Sequence, residues 1–227
     1  MPTLIIPNYR LSAHPAFPDR RAVVHPTHTH DVAAALGTYV TTCADEWDEI
    51  EHVVLVGHSC GAHILSHILF TLPRDPPSSS SSSLRPALDH LLARTHAVAF
   101  LDGITSVRAL AREYPQYRFF LDAAFGFDPD ARWPGADAFT DEERAGSRQR
   151  SPAATAATTA GLRKIIIAHA SADELLTPAQ GEWLRDQLDA HGFADVVEWD
   201  RTTLQGTHDG CLHDRGVGEL LYRLLLA

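Results

Sequence analysis

The apolar run Val53-Val54-Leu55-Val56 leads into Gly57-His58-Ser59-Cys60-Gly61, and residues 62–70 follow with helix-compatible composition. This stretch restricts the fold more than any other. Four consecutive apolar residues, three of them β-branched, read as a strand buried on both faces. The chain must then reverse from strand to helix within a few residues, and glycines at both ends of the turn relieve the crowding where strand and helix nearly touch. A serine at the apex of such a turn takes a strained backbone conformation. The order strand, G-x-S-x-G, helix is that of a nucleophile elbow. Without that context the pentapeptide is only a glycine-rich turn with an ordinary serine.

Further apolar, β-rich runs occur at residues 3–6, 97–101, 165–168 and 196–199, and helix-length segments lie between or after them at 31–46, 62–70, 178–191 and 218–226. Pro178 opens one of these helices and Gly192 closes it. Strands alternating with helices predict an α/β chain: a mostly parallel sheet with helices on both faces. The 227 residues, 44% hydrophobic, suffice for one domain over 1–227 with a sizeable core.

Two segments interrupt the alternation. Residues 73–86 contain Pro73-Arg74-Asp75-Pro76-Pro77 and six successive serines, and read as a flexible surface loop. Residues 114–160 are irregular, rich in aromatics at first and in alanine and threonine at the end, and read as a cap-like insertion over the sheet. Their aromatics, among them Tyr114, Phe120, Phe125 and Trp133, fit either a core or a pocket wall.

The formal charge is −10, with 29 acidic against 19 basic residues, which argues against nucleic acid or an anionic membrane as the main partner. No apolar run is long enough to span a bilayer and no signal-type leader is evident, so a cytoplasmic protein is expected. Cys43, Cys60 and Cys211 are odd in number and widely spaced, which argues against a disulfide framework or a zinc–thiolate site. His25, His28 and His30 cluster in sequence, but with neither a nearby cysteine nor an H-E-x-x-H motif they read as a loop before the helix at 31–46 rather than as metal ligands. Oligomeric state leaves no signal.

A serine hydroxyl needs a base, and the base needs an orienting acid. In elbow-type hydrolases the chain order is Ser, then Asp or Glu, then His. Asp173 follows the strand at 165–168 and precedes the Pro178 helix, so it belongs at the carboxyl ends of the strands, where α/β sites assemble. Glu174 is the substitute. His208, in Gly206-Thr207-His208-Asp209-Gly210 after the last strand, is the candidate base, with His213 its rival. Ser59 is thus the candidate nucleophile, with the Cys60 backbone amide as oxyanion donor. Such chemistry needs no metal or cofactor.

Several stretches together resemble the fungal kynurenine formamidases of the α/β-hydrolase superfamily. These are Asn8-Tyr9-Arg10-Leu11-Ser12, the elbow with its less common cysteine after the serine, Glu113-Tyr114-Pro115-Gln116-Tyr117, Ala124-Phe125-Gly126-Phe127-Asp128, the acid loop from Ile167 to Leu176, and Thr207-His208-Asp209. The resemblance implies an α/β-hydrolase fold and Ser59, Asp173 and His208 as nucleophile, acid and base. It also implies hydrolysis of N-formyl-L-kynurenine, a small-molecule substrate, to L-kynurenine and formate. The family's upstream His-Gly-Gly oxyanion segment is not found here, so an N-terminally shortened sheet is expected, with Cys60 the only assignable oxyanion donor. Two other readings stay open: a general carboxylesterase on the same scaffold, and a catalytically impaired remnant acting as a binding protein.

Overall fold

A computed structural model describes residues 3–13, 23–72, 85–139 and 161–227. Its helices and strands, in chain order, are α1 (Thr27–Thr42), α2 (Ala44–Asp48), β1 (Val53–His58), α3 (Cys60–Phe70), α4 (Arg85–Arg94), β2 (Thr95–Leu101), α5 (Val107–Glu113), α6 (Arg118–Phe125), β3 (Lys164–Ala168), α7 (Ala179–Ala190), β4 (Val197–Asp200) and α8 (Arg215–Leu225). The four strands form one sheet in the order β1-β2-β3-β4, and every pairing is parallel. All strands therefore end on the same side, and Ser59, Asp102, His169 and the loop after Asp200 leave the sheet at one edge.

Alternation along the strands divides the core. Leu55, Val98, Phe100, Ile165 and Ile167 point to one face, where they pack with Leu36 of α1, Ile68 of α3, Leu92 of α4 and Leu184 of α7. Ala97, Ala99, Leu101, Ile166 and Ala168 point to the other, under Leu220 and Leu224 of α8. Burial on both faces is why β2 reads as an unbroken apolar run. α8 packs against β2 and β3, and Val56 of β1 is left 44% exposed on this second face. A third cluster joins Val107 and Leu110 of α5 to Leu121, Trp133 and Leu176.

The structure corrects several expectations. Residues 3–6 are not a strand: Leu4 and Ile6 are 84% and 78% exposed and the segment runs irregularly. An apolar run becomes a strand only where a ladder partner exists, and this one has none among the described residues. Its continuation is instead held by side chains. Arg10 clasps Asp31 at 2.7 and 2.8 Å, Ser12 meets His28 at 2.9 Å, and the Tyr9 hydroxyl lies 3.3 Å from Cys60 Sγ.

The helix expected at 31–46 starts earlier, at Thr27, and gives way to α2 after Thr42, so His28 and His30 are helical rather than loop residues. The expected loop at 73–86 overlaps α4 at its end. Pro86 sits in the first turn of α4, where a missing N–H costs nothing. Residues 73–84 lie outside the described residues. The insertion is not irregular throughout: Pro115–Tyr117 is a 3-10 turn and α6 follows it, while residues 140–160 lie outside the description. No helix among the described residues is long and apolar enough to cross a membrane.

Gly57 is where strand and helix approach most closely. A Cβ there would lie 2.6 Å from the Gly61 carbonyl oxygen and 2.8 Å from the Ala62 backbone. Backbone atoms cannot swing aside as a side chain can. Gly57→Ala is therefore expected to destabilise the fold by about 2 kcal/mol or more, roughly 4–8 °C in Tm. Thermal denaturation of the two proteins checks this; an unchanged Tm contradicts the close approach.

Candidate active site

Ser59 stands at the junction of β1 and α3 with φ 52° and ψ −119°. A non-glycine residue adopts positive φ only where its surroundings impose it. Here the imposition is visible. The Ser59 amide donates to the Leu101 carbonyl at 3.0 Å, and the Ser59 carbonyl accepts from the amides of Ala62 and Ile104 at 3.1 Å each. The serine backbone is thus pinned between the end of β2 and the start of α3. Cys60 is the first residue of that helix, so its amide belongs to the set of N–H groups that an α-helix leaves without intrahelical acceptors.

Asp173 and His208, 35 residues apart, are joined by a 2.8 Å hydrogen bond from His208 Nδ1 to Asp173 Oδ2. Both side chains are buried, at 0% and 4% exposure. The other Asp173 oxygen accepts from the amides of Leu175 and Leu176 at 2.8 and 2.9 Å. The two loops that carry the pair are laced together by backbone bonds from His169 to Asp200, Ser171 to Leu204 and Ala172 to Gly206.

Electrostatics follow from these contacts. Burial works to raise the Asp173 carboxyl, but the hydrogen bond from His208 and those from the two amides outweigh it and hold it below the ordinary carboxylate range. Burial works to lower His208, but the Asp173 hydrogen bond and charge, with Asp102 and Asp209 adding to them, raise it above the ordinary imidazole value. With Nδ1 engaged by Asp173, Nε2 is the ring nitrogen left for chemistry.

The alternatives separate. Glu174 does not reach the imidazole; its Oε2 accepts from the His208 backbone amide at 3.0 Å. His213 is exposed in the 3-10 turn Gly210–His213. Of the sequence candidates, the structure joins Asp173 to His208 and places Ser59 next to His58, whose ring lies 4.7 Å from that of His208.

Three contributors escaped the sequence reading. His58 Nε2 meets the His208 carbonyl at 3.0 Å. Cys211 Sγ lies 3.1 Å from the same carbonyl and 3.1 Å from Asp102 Oδ2. Asp102, fully buried with φ 42°, ends β2; its Oδ1 accepts from the Ala170 amide at 2.7 Å and lies 3.2 Å from His169 Nδ1. Burial raises the Asp102 carboxyl, and burial beside Asp102 pushes the Cys211 thiol up to about 12. The signal for Asp102 was available in its place at a strand's carboxyl end, as for Asp173; Cys211 carried none.

A cavity of about 180 Å³ adjoins the elbow, lined by Cys60, His63 and Ile64 of α3, by Ile104, by Phe120 and Phe125 of α6, and by Tyr9, Leu11 and His25. Phe120 and Phe125 of the insertion are therefore pocket wall, whereas Trp133, 3% exposed, is core.

No family model matches the chain. It is 30% identical over 169 residues to the kynurenine formamidase of Eremothecium gossypii, covering 74% of this chain and 61% of that protein. It is 34% identical over 119 residues to that of Meyerozyma guilliermondii, covering 52% and 37%. The chain thus spans about three-fifths or less of the length of these relatives. Among solved structures, the thermophilic esterase Est2 of Thermogutta terrifontis superposes with a TM-score of 0.53 over 92% of this chain and 68% of its own, at 14% identity, a likeness of fold. The parallel sheet, the elbow after β1 and these likenesses give the chain an α/β-hydrolase fold, and in sequence it is similar to fungal kynurenine formamidases.

Proposed function

We propose that the chain is a serine hydrolase that cleaves the formyl amide of N-formyl-L-kynurenine. The observation that carries the reading is the buried 2.8 Å pair of His208 and Asp173 at the same edge of the sheet as a strained elbow serine. The fungal relatives supply the substrate class.

Ser59 Oγ attacks the formyl carbon while His208 Nε2 takes the hydroxyl proton. Asp173, held ionised by its hydrogen bonds, fixes the imidazole tautomer and stabilises the imidazolium. The Cys60 amide donates to the oxyanion of the tetrahedral intermediate. His208 then returns the proton to the arylamine nitrogen as the C–N bond breaks, leaving formyl-Ser59. Water, deprotonated by His208 Nε2, attacks the ester; formate leaves as His208 returns that proton to Ser59 Oγ. Phe120, Phe125 and Ile104 offer the aryl ring an apolar wall.

Ser59→Ala is expected to lower kcat on N-formylkynurenine by about 10⁴-fold or more, because loss of the nucleophile removes the acyl-enzyme route. Activity retained within tenfold sinks the mechanism. A panel of aryl formamides and short acyl esters decides the substrate: a formamide preference of about tenfold or more in kcat/KM supports this reading, and the reverse favours a general carboxylesterase.

The base must be neutral to act. Since its neighbours raise His208, kcat/KM should climb with pH through a midpoint above the ordinary histidine value of about 6.5. Asp173→Asn should move that midpoint down and lower kcat by about a hundredfold or more. A pH–rate profile that Asp173→Asn leaves unmoved contradicts the pairing.

A further inference from the structure

The mechanism makes no use of three clustered histidines, two of which line the cavity. His25 and the α3 residues His63 and His67 each offer a ring nitrogen, and the three atoms lie within 4.8 Å of one another. The ring centroids are 4.6 Å apart for His25–His67 and for His63–His67, and 5.6 Å apart for His25–His63.

What surrounds the rings is as telling as their spacing. His67 Nε2 meets the Ala136 carbonyl at 3.0 Å, and the His25 ring bonds the carbonyl of the adjacent Gly135. An imidazole that donates one N–H to a carbonyl keeps a lone pair on its other nitrogen. Histidines that ligate metals are oriented by this kind of bond. His63 is 7% exposed, and neither of its ring nitrogens has a hydrogen-bond partner. The sequence trio of His25, His28 and His30 is not the cluster. His28 pairs with Ser12 at 2.9 Å, and His30 is exposed.

We propose that His25, His63 and His67 form a three-histidine site for a divalent transition-metal ion, zinc foremost. Three neutral imidazoles with no carboxylate among them suit zinc, copper or nickel and disfavour calcium or magnesium. Zinc–nitrogen bonds of about 2.0–2.1 Å place tetrahedral ligand atoms about 3.3 Å apart, so the rings close by at most about 1.5 Å on binding. His25 and His63 line the cavity, so the fourth position falls to water or to an anionic group of a molecule held there. Among the described residues the lining contains neither lysine nor arginine, and a bound cation would supply positive charge there.

The test is metal content, which does not depend on hydrolase activity. Chelator-stripped full-length protein is equilibrated with zinc, freed of excess metal and analysed by inductively coupled plasma mass spectrometry. Wild type and the surface control His30→Gln should each retain about one zinc per chain. His63→Leu and His25→Gln should bind at least about tenfold more weakly. His63 is in the core, so circular dichroism verifies the fold of His63→Leu; should it fail to fold, His25→Gln decides. Wild type that retains less than about a tenth of an equivalent overturns the site, as does wild-type affinity in a folded His25→Gln.

Discussion

Two backbone hydrogen bonds decide where the serine stands. The Ser59 amide donates to Leu101, and the Ser59 carbonyl accepts from Ile104. Both partners belong to β2 or the loop directly after it, so the elbow's position is fixed by the pairing of β1 with β2. The positive φ of Ser59 is sustained because these bonds and the contact at Gly57 leave the chain no other path. The same parallel pairing continues through β3 and β4, which brings the acid loop and the histidine loop to the same edge. The proposed site, drawn from residues 59, 173 and 208, thus rests on strand register rather than on sequence proximity.

The second constraint is electrostatic. A buried carboxylate is costly unless its lone pairs are satisfied. Asp173 engages one oxygen with His208 and the other with two amides, which together hold its carboxyl below the ordinary range although burial works to raise it. Asp102 lies under the same histidine with less compensation, and burial raises it. The two carboxylates are therefore shifted in opposite directions, and the one that meets the imidazole directly is the one better placed to carry charge.

Much of this was legible in the sequence, for physical reasons that differ by element. The four strands of the sheet are short apolar runs bounded by turns, a pattern that burial on both faces makes almost unavoidable. Ser59, Asp173 and His208 are the candidates that chain order and strand-end location pick out, and of these the structure pairs Asp173 with His208. The run at residues 3–6 has the composition of a strand but lacks a ladder partner, and composition does not report partners. α6 packs only Leu121 fully and is rich in phenylalanine, so neither period nor propensity announced it. α4 follows a serine tract; its first two residues fall within the loop expected at 73–86, and the remainder is assigned no element from the sequence. The histidine cluster was least legible, since its members come from a loop and from two turns of α3; the sequence groups His25 with His28 and His30 instead, and that trio reads as a loop rather than as ligands.

The central claim is that Ser59 is the nucleophile served by His208 and Asp173. The most direct measurement is intact-protein mass spectrometry after reaction with a fluorophosphonate, followed by peptide mapping. The account predicts one phosphonyl adduct, on Ser59, formed promptly in wild type, absent from Ser59→Ala and strongly slowed in Asp173→Asn. A wild-type protein that stays unlabelled, or an adduct mapped to another residue, would contradict it.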